Sequence, residues 1–96
     1  MKNVFDISDF VNTPTIQFIM NSLVLRVKER RKELKISQKQ LAERSGVSYA
    51  SVRRFENTGE ISLCFLLKIA NTLDCLEDFN LLFKKKTVTN IKDLDL

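Results

Sequence analysis

The placement of its glycines constrains this chain most. Only two occur in 96 residues, Gly46 and Gly59, and each follows a stretch that opens with a serine behind an apolar residue. Ser37 is placed to N-cap a helix, with Gln40 three positions on completing a Ser-x-x-Gln capping box, and Gly46 to end it in the left-handed conformation. Ser48 opens a second helix, Ser48 to Asn57, which Gly59 closes. Ile36 with Leu41, and Val47 with Val52, bracket the two caps as hydrophobic staples, and Ile61, Ser62 and Leu66 repeat the pattern. The stretch Ile36 to Gly59 therefore predicts two short helices joined by a turn.

Length and composition narrow the class. A chain of 96 residues with 44% hydrophobic content suits one soluble domain. No run approaches the roughly 20 apolar residues of a membrane span, and Asp6 and Asp9 interrupt the apolar N-terminal residues where a secretory signal would be continuous. The expected location is the cytoplasm, with no membrane partner. Cys64 and Cys75 are far from a Cys-x-x-Cys spacing and the chain has no histidine, so they are expected to be structural thiols and no metal or cofactor is implied. Without histidine the commonest general base near neutral pH is missing, and an enzyme is not expected. The net charge of +4 is unevenly spread: residues 21 to 57 carry ten basic and four acidic side chains, and residues 58 to 83 one basic and four acidic. That concentration around the central helices is what a face meeting a polyanion requires.

In chain order, residues 1 to 13 form an N-terminal extension in which Val4, Phe5, Ile7, Phe10 and Val11 show no clean period. Thr13-Pro14 reads as a helix start, with threonine as cap and proline at the first helical position. A first helix of about 20 residues follows, with Ile16, Ile19, Leu23, Val27, Arg30 or Arg31, and Leu34 along one face. Phe18, Met20 and Leu25 lie off that stripe and offer surface either to a partner or to residues 1 to 12. Beyond Ser62 a fourth helix turns Leu66, Ile69, Ala70 and Leu73 inward and ends near Asp74; Leu76 to Phe83 reads as a fifth. These place a domain over residues 14 to 83 and a tail over 84 to 96, in which Val88, Ile91, Leu94 and Leu96 suit a strand, a docked segment or a frayed end.

The second helix of the central pair separates two chemistries. At about 100° per residue Val52 and Phe55 turn one way, while Tyr49, Ala50, Arg53, Arg54 and Asn57 share an arc of about 140° on the other. Two guanidiniums, an amide, a phenol and a methyl are too polar for a core and match what the DNA major groove offers: acceptor pairs on guanine, adenine edges, the thymine methyl. Gln38, at the first position of the preceding helix, lies beside free backbone N–H groups that attract a phosphate oxygen, whereas Lys39 and Arg44 read as general electrostatics.

The run Ser-Gln-x-x-Leu-Ala-x-x-x-Gly-Val-Ser-x-x-x-Val-x-x-x-Glu-Asn from Ser37 to Asn57, followed by Leu66-x-x-Ile69-Ala70-x-x-Leu73, resembles the Xre/Cro-type, lambda-repressor-like helix-turn-helix domain over residues 22 to 76. The resemblance implies an all-α, five-helix bundle that binds double-stranded operator DNA, usually as a homodimer on a pseudo-palindrome. Carried onto this chain, it implies base contacts from Ser48, Tyr49, Ala50 and Arg54, phosphate contacts from Gln38, Arg53 and Asn57, and a structural ion pair between Arg31 and Glu56. The chain departs from the family pattern in three places. Thr58 stands between Asn57 and Gly59 where relatives read Glu-Asn-Gly; Leu73-Asp74-Cys75 replaces Leu-Gly-Val, a weaker helix stop; and Ala50 stands where a longer hydrogen-bonding residue is common. The implied function is a sequence-specific repressor. The alternative is the antitoxin of a toxin-antitoxin pair, because Leu76-Glu-Asp-Phe-x-x-Leu-Phe with Ile91-Lys-Asp-Leu94 resembles the C-terminal ends of some small antitoxin-like regulators that hold a toxin protein.

Overall fold

The computed structural model describes residues 14–86, which form five helices and the turns between them. They are α1 (Ile16–Glu33), α2 (Gln38–Ser45), α3 (Tyr49–Thr58), α4 (Leu63–Thr72) and α5 (Leu76–Phe79). Among the described residues there is no strand, and no helix is long and apolar enough to cross a membrane. The extension over 1–13 and the tail pattern from Val88 onward lie outside the described residues.

The serine caps are all in place. Ser37, Ser48 and Ser62 each accept a bond from the backbone N–H three residues on, and Gln40 closes the capping box by accepting the Ser37 N–H at 2.8 Å. Gly46 and Gly59 end α2 and α3 at φ of 77° and 83°, a region glycine enters without steric cost. Behind the caps, Ile36, Leu41, Val47 and Val52 are buried and join Ala42, Ile69 and Leu73 in the core, each large side chain contributing about 1.5–3 kcal/mol. α2 packs against α3 and α4, α1 against α3, and α5 against α4. The stapled caps thus set the bend between α2 and α3 and supply the core that α4 covers.

Three expectations change. Helix α1 starts at Ile16, not at Pro14, because Thr15 takes the capping position and its hydroxyl accepts the Phe18 N–H at 3.0 Å; with Pro14 at the first turn, Thr15 would lie inside the helix and that bond would be lost. The α1 stripe is only partly used: Arg31, not Arg30, turns inward, Val27 packs on the core, and Ile16 and Ile19 stay exposed. The fifth helix is a single turn. Cys75 provides no side-chain cap, Asn80 bonds back to Glu77, and the backbone continues in i→i+3 turns until Phe83 at φ 65° reverses it.

Asp74 is a working helix stop. It adopts φ 63°, so that Cys75 N–H reaches Ala70 O at 2.8 Å and Asp74 N–H reaches Asn71 O, the Schellman pattern that normally uses glycine. Lys35 at φ 60° ends α1 in the same way. Both side chains are exposed and carry left-handed strain. Lys35→Gly and Asp74→Gly are therefore expected to stabilise the domain by up to about 1 kcal/mol each, read as a rise in denaturation midpoint; Gly59→Ala is expected to lower it, since its Cβ would stand 3.1 Å from Met20 Cε.

Candidate nucleic-acid interface

Helix α3 is held by the face it buries. Val52, Phe55 and Glu56 are 0%, 1% and 5% exposed, and Tyr49, Ala50, Arg53, Arg54 and Asn57 all face solvent. The division between exposed polar face and packing face falls where the sequence pattern places it.

Glu56 locks the helix in that rotation. Arg31 of α1 forks its carboxylate, Nε donating to Oε2 at 2.8 Å and Nη2 to Oε1 at 3.0 Å, while its Nη1 donates to Ile36 O at 3.0 Å. Gln38 Nε2 adds a bond to Oε1 at 2.8 Å. The Glu56 carboxylate thus joins α1 and α2 to α3, and Arg31 ties in the loop after α1 through Ile36 O. Burial pushes the Glu56 carboxyl up, but the Arg31 and Gln38 bonds and the charges of Arg31 and Lys28 outweigh it and hold the group below the usual carboxylate range.

Gln38 spends one of its two amide N–H donors on Glu56, while its backbone stays at the first turn of α2. Ser48 is the cap of α3: its Oγ accepts Ser51 N–H at 3.1 Å and donates to Ser51 Oγ at 2.8 Å, which leaves an acceptor rather than a donor for any base. Tyr49 stands between two cations, with Lys39 Nζ and the Arg53 guanidinium each 5.6 Å from its ring centroid, a distance at which ring and cation attract. Ala50 presents a bare methyl at the surface. Arg54 Nη2 is ion-paired with Glu60 Oε1. Asn57 is exposed near the end of the helix.

Two contributors escaped the sequence reading. Lys39, read as general electrostatics, reaches across from α2 to Tyr49, and Glu60 reaches back past Gly59 to Arg54. Neither contact follows a helical spacing within one element, so only the turn geometry reveals it.

A family model described as helix-turn-helix matches residues 27–79, more than half of the chain. The chain belongs to the Xre/lambda-repressor-like helix-turn-helix family of DNA-binding transcription regulators. No curated protein and no solved structure matches it.

Removing the carboxylate would strand Arg31. Glu56→Ala is expected to cost about 3–5 kcal/mol, lowering the melting temperature by more than about 10 °C in a thermal melt followed by circular dichroism. The depressed carboxyl also sets an acid limb: its contribution is present above the unfolded value of about 4.3 and is lost as pH falls below that toward the lower folded value. In Glu56→Gln that part of the stability-against-pH curve should flatten.

Proposed function

We propose that this protein is a sequence-specific DNA-binding repressor that inserts α3 into the major groove. The observation that carries the reading is the exposed, cationic face of α3, fixed in rotation by the buried Arg31–Glu56 fork and flanked by the N-terminus of α2. Tyr49, Ala50 and Arg54 contact bases: Arg54 with donors for guanine, Ala50 with a methyl for thymine, Tyr49 as an amphipathic ring. Ser48, committed to its cap, contributes an acceptor. Gln38, Arg53 and Asn57 bind phosphate. The unpaired backbone N–H groups at the start of α2 and the cation pair on Tyr49 support that clamp. The chain works as a homodimer on a pseudo-palindromic operator, with two α3 helices about 34 Å apart along one DNA face. It acts in the cytoplasm, at the nucleoid when bound.

Titration of a labelled duplex selected from a random-sequence library, against a scrambled duplex of equal composition, tests the face. Arg54→Ala is expected to lose about 1–3 kcal/mol of discrimination. Arg53→Ala should weaken both duplexes alike and reduce the slope of log K against log salt by about 0.9. If Arg54→Ala keeps both affinity and discrimination, α3 is not the reading element.

The antitoxin reading has its own support in an apolar groove of about 570 Å³ between α1 and α4, lined by Ile19, Leu23, Leu66 and Phe79, together with exposed Leu81, Leu82 and Phe83. That end can serve the homodimer or a toxin protein. Sedimentation of the isolated chain separates them: a dimer at micromolar concentration supports the first use, a monomer the second.

A further inference from the structure

Arg54 does not stand free on the reading face. Its Nη2 is paired with Glu60, a residue outside α3 on the far side of Gly59. The position of Glu60 is set by Thr58, whose hydroxyl donates to Arg54 O at 2.7 Å and accepts Glu60 N–H at 3.1 Å. Gly59, at φ 83°, turns the chain back. The result is a closed circuit that begins and ends on Arg54: carbonyl, Thr58 hydroxyl, Glu60 amide, Glu60 carboxylate, guanidinium. Thr58, the residue by which the chain departs from a Glu-Asn-Gly ending, is its hinge.

Stability does not account for the pair. The Arg54 and Glu60 side chains are 66% and 58% exposed, where ion pairs contribute little. Attraction to DNA does not account for it either, because a carboxylate beside a basic reading face opposes phosphate. What the circuit does is fix where the guanidinium points.

Resting on the reading of α3 as the DNA-contacting helix, the geometry points to Glu60 as a positioning residue for Arg54, one that sets specificity. A guanidinium carries more N–H donors than one carboxylate oxygen occupies, so donors remain for the two acceptors of a guanine edge while Glu60 stays bound. A phosphate in DNA of the wrong sequence captures the same guanidinium only by pulling it off Glu60. Glu60 therefore suppresses binding to random DNA more than binding to the correct site.

The test is Glu60→Gln, alone and with Arg54→Ala, titrated against the library-selected and scrambled duplexes over a range of salt. Alone, it is expected to raise affinity for the scrambled duplex by roughly two- to fivefold, the scale of an exposed ion pair, while the selected duplex changes less, so that discrimination falls. The salt slope on the scrambled duplex should steepen by about 0.9, the mark of one added phosphate contact. In the Arg54→Ala background neither change should appear. An equal gain on both duplexes, or the same gain with Arg54 absent, makes Glu60 a bulk charge and overturns the proposal. If the wild-type protein enriches no sequence from the library, the DNA-reading role of α3 itself fails, before any variant is compared, and the role of Glu60 falls with it.

Discussion

The buried fork between Arg31 and Glu56 is the constraint on which the arrangement depends. Two charges are taken out of water, which is costly unless every hydrogen-bonding position is filled. Here Ile36 O gives Arg31 a third acceptor and the Gln38 amide gives Glu56 a third donor, and no buried side-chain polar atom among the described residues lacks a partner. A pair of apolar side chains could fill the same volume at no loss of stability. They would not fix an angle. The planar fork meets the carboxylate in one geometry, so the rotation of α3 about its axis, and with it the direction of Tyr49 and Arg54, is tied to α1.

The fork holds α1 near its C-terminus, and Met20 and Val24 lie beside Gly59 at the end of α3. Arg31 and Val27 reach the core, whereas Ile16, Phe18 and Ile19 remain about half exposed or more. Near Cys75 the next contact is polar, with Arg30 Nε donating to Cys75 Sγ at 3.3 Å and its pKa raised by that bond and by the neighbouring charges. The exposed Ile16, Phe18 and Ile19 thus lie at the opposite end of α1 from the fork. Of the ten basic side chains in residues 21 to 57, Lys39, Arg44, Arg53 and Arg54 lie on α2 and α3, and the other six on α1 and the loop that follows it.

Much of this was legible in the sequence wherever a contact lies within one turn. The caps at Ser37, Ser48 and Ser62, the left-handed glycines and the inward turn of Val52 and Phe55 are i to i+3 or i+4 relations, and all hold. The errors have local causes as well. Helix α1 starts at Ile16 because the Thr15 hydroxyl, not the proline ring, satisfies a free N–H. Leu76 to Phe83 carries a helical apolar pattern but no capping side chain, and pattern alone does not nucleate a helix. Asp74 was expected to stop α4 weakly, yet the Schellman bonds outweigh its strain. Helical periodicity also made the exposed polar face of α3 legible. The commitments of the site's side chains, Gln38 to Glu56, Ser48 to Ser51 and Arg54 to Glu60, depend on how separate segments meet and carry no periodic signal.

Those commitments narrow the chemistry left for reading DNA. Ser48 has given its hydroxyl to the cap of α3, Tyr49 is held by Lys39 and Arg53, and Ala50 offers only a methyl. Arg54 is then the one long side chain among the proposed base contacts that combines charge with free donors. If α3 is the recognition helix, its direct hydrogen bonding to bases rests largely on this one side chain. On the proposed reading, discrimination draws also on how exclusively Arg54 is offered to a base, on any pairing of two half-sites, and on how well the DNA fits the phosphate contacts proposed for Gln38, Arg53 and Asn57. A tethered arginine is more valuable in such a protein than in one with several readers, because each non-specific phosphate contact it avoids is a larger share of the difference between right and wrong DNA.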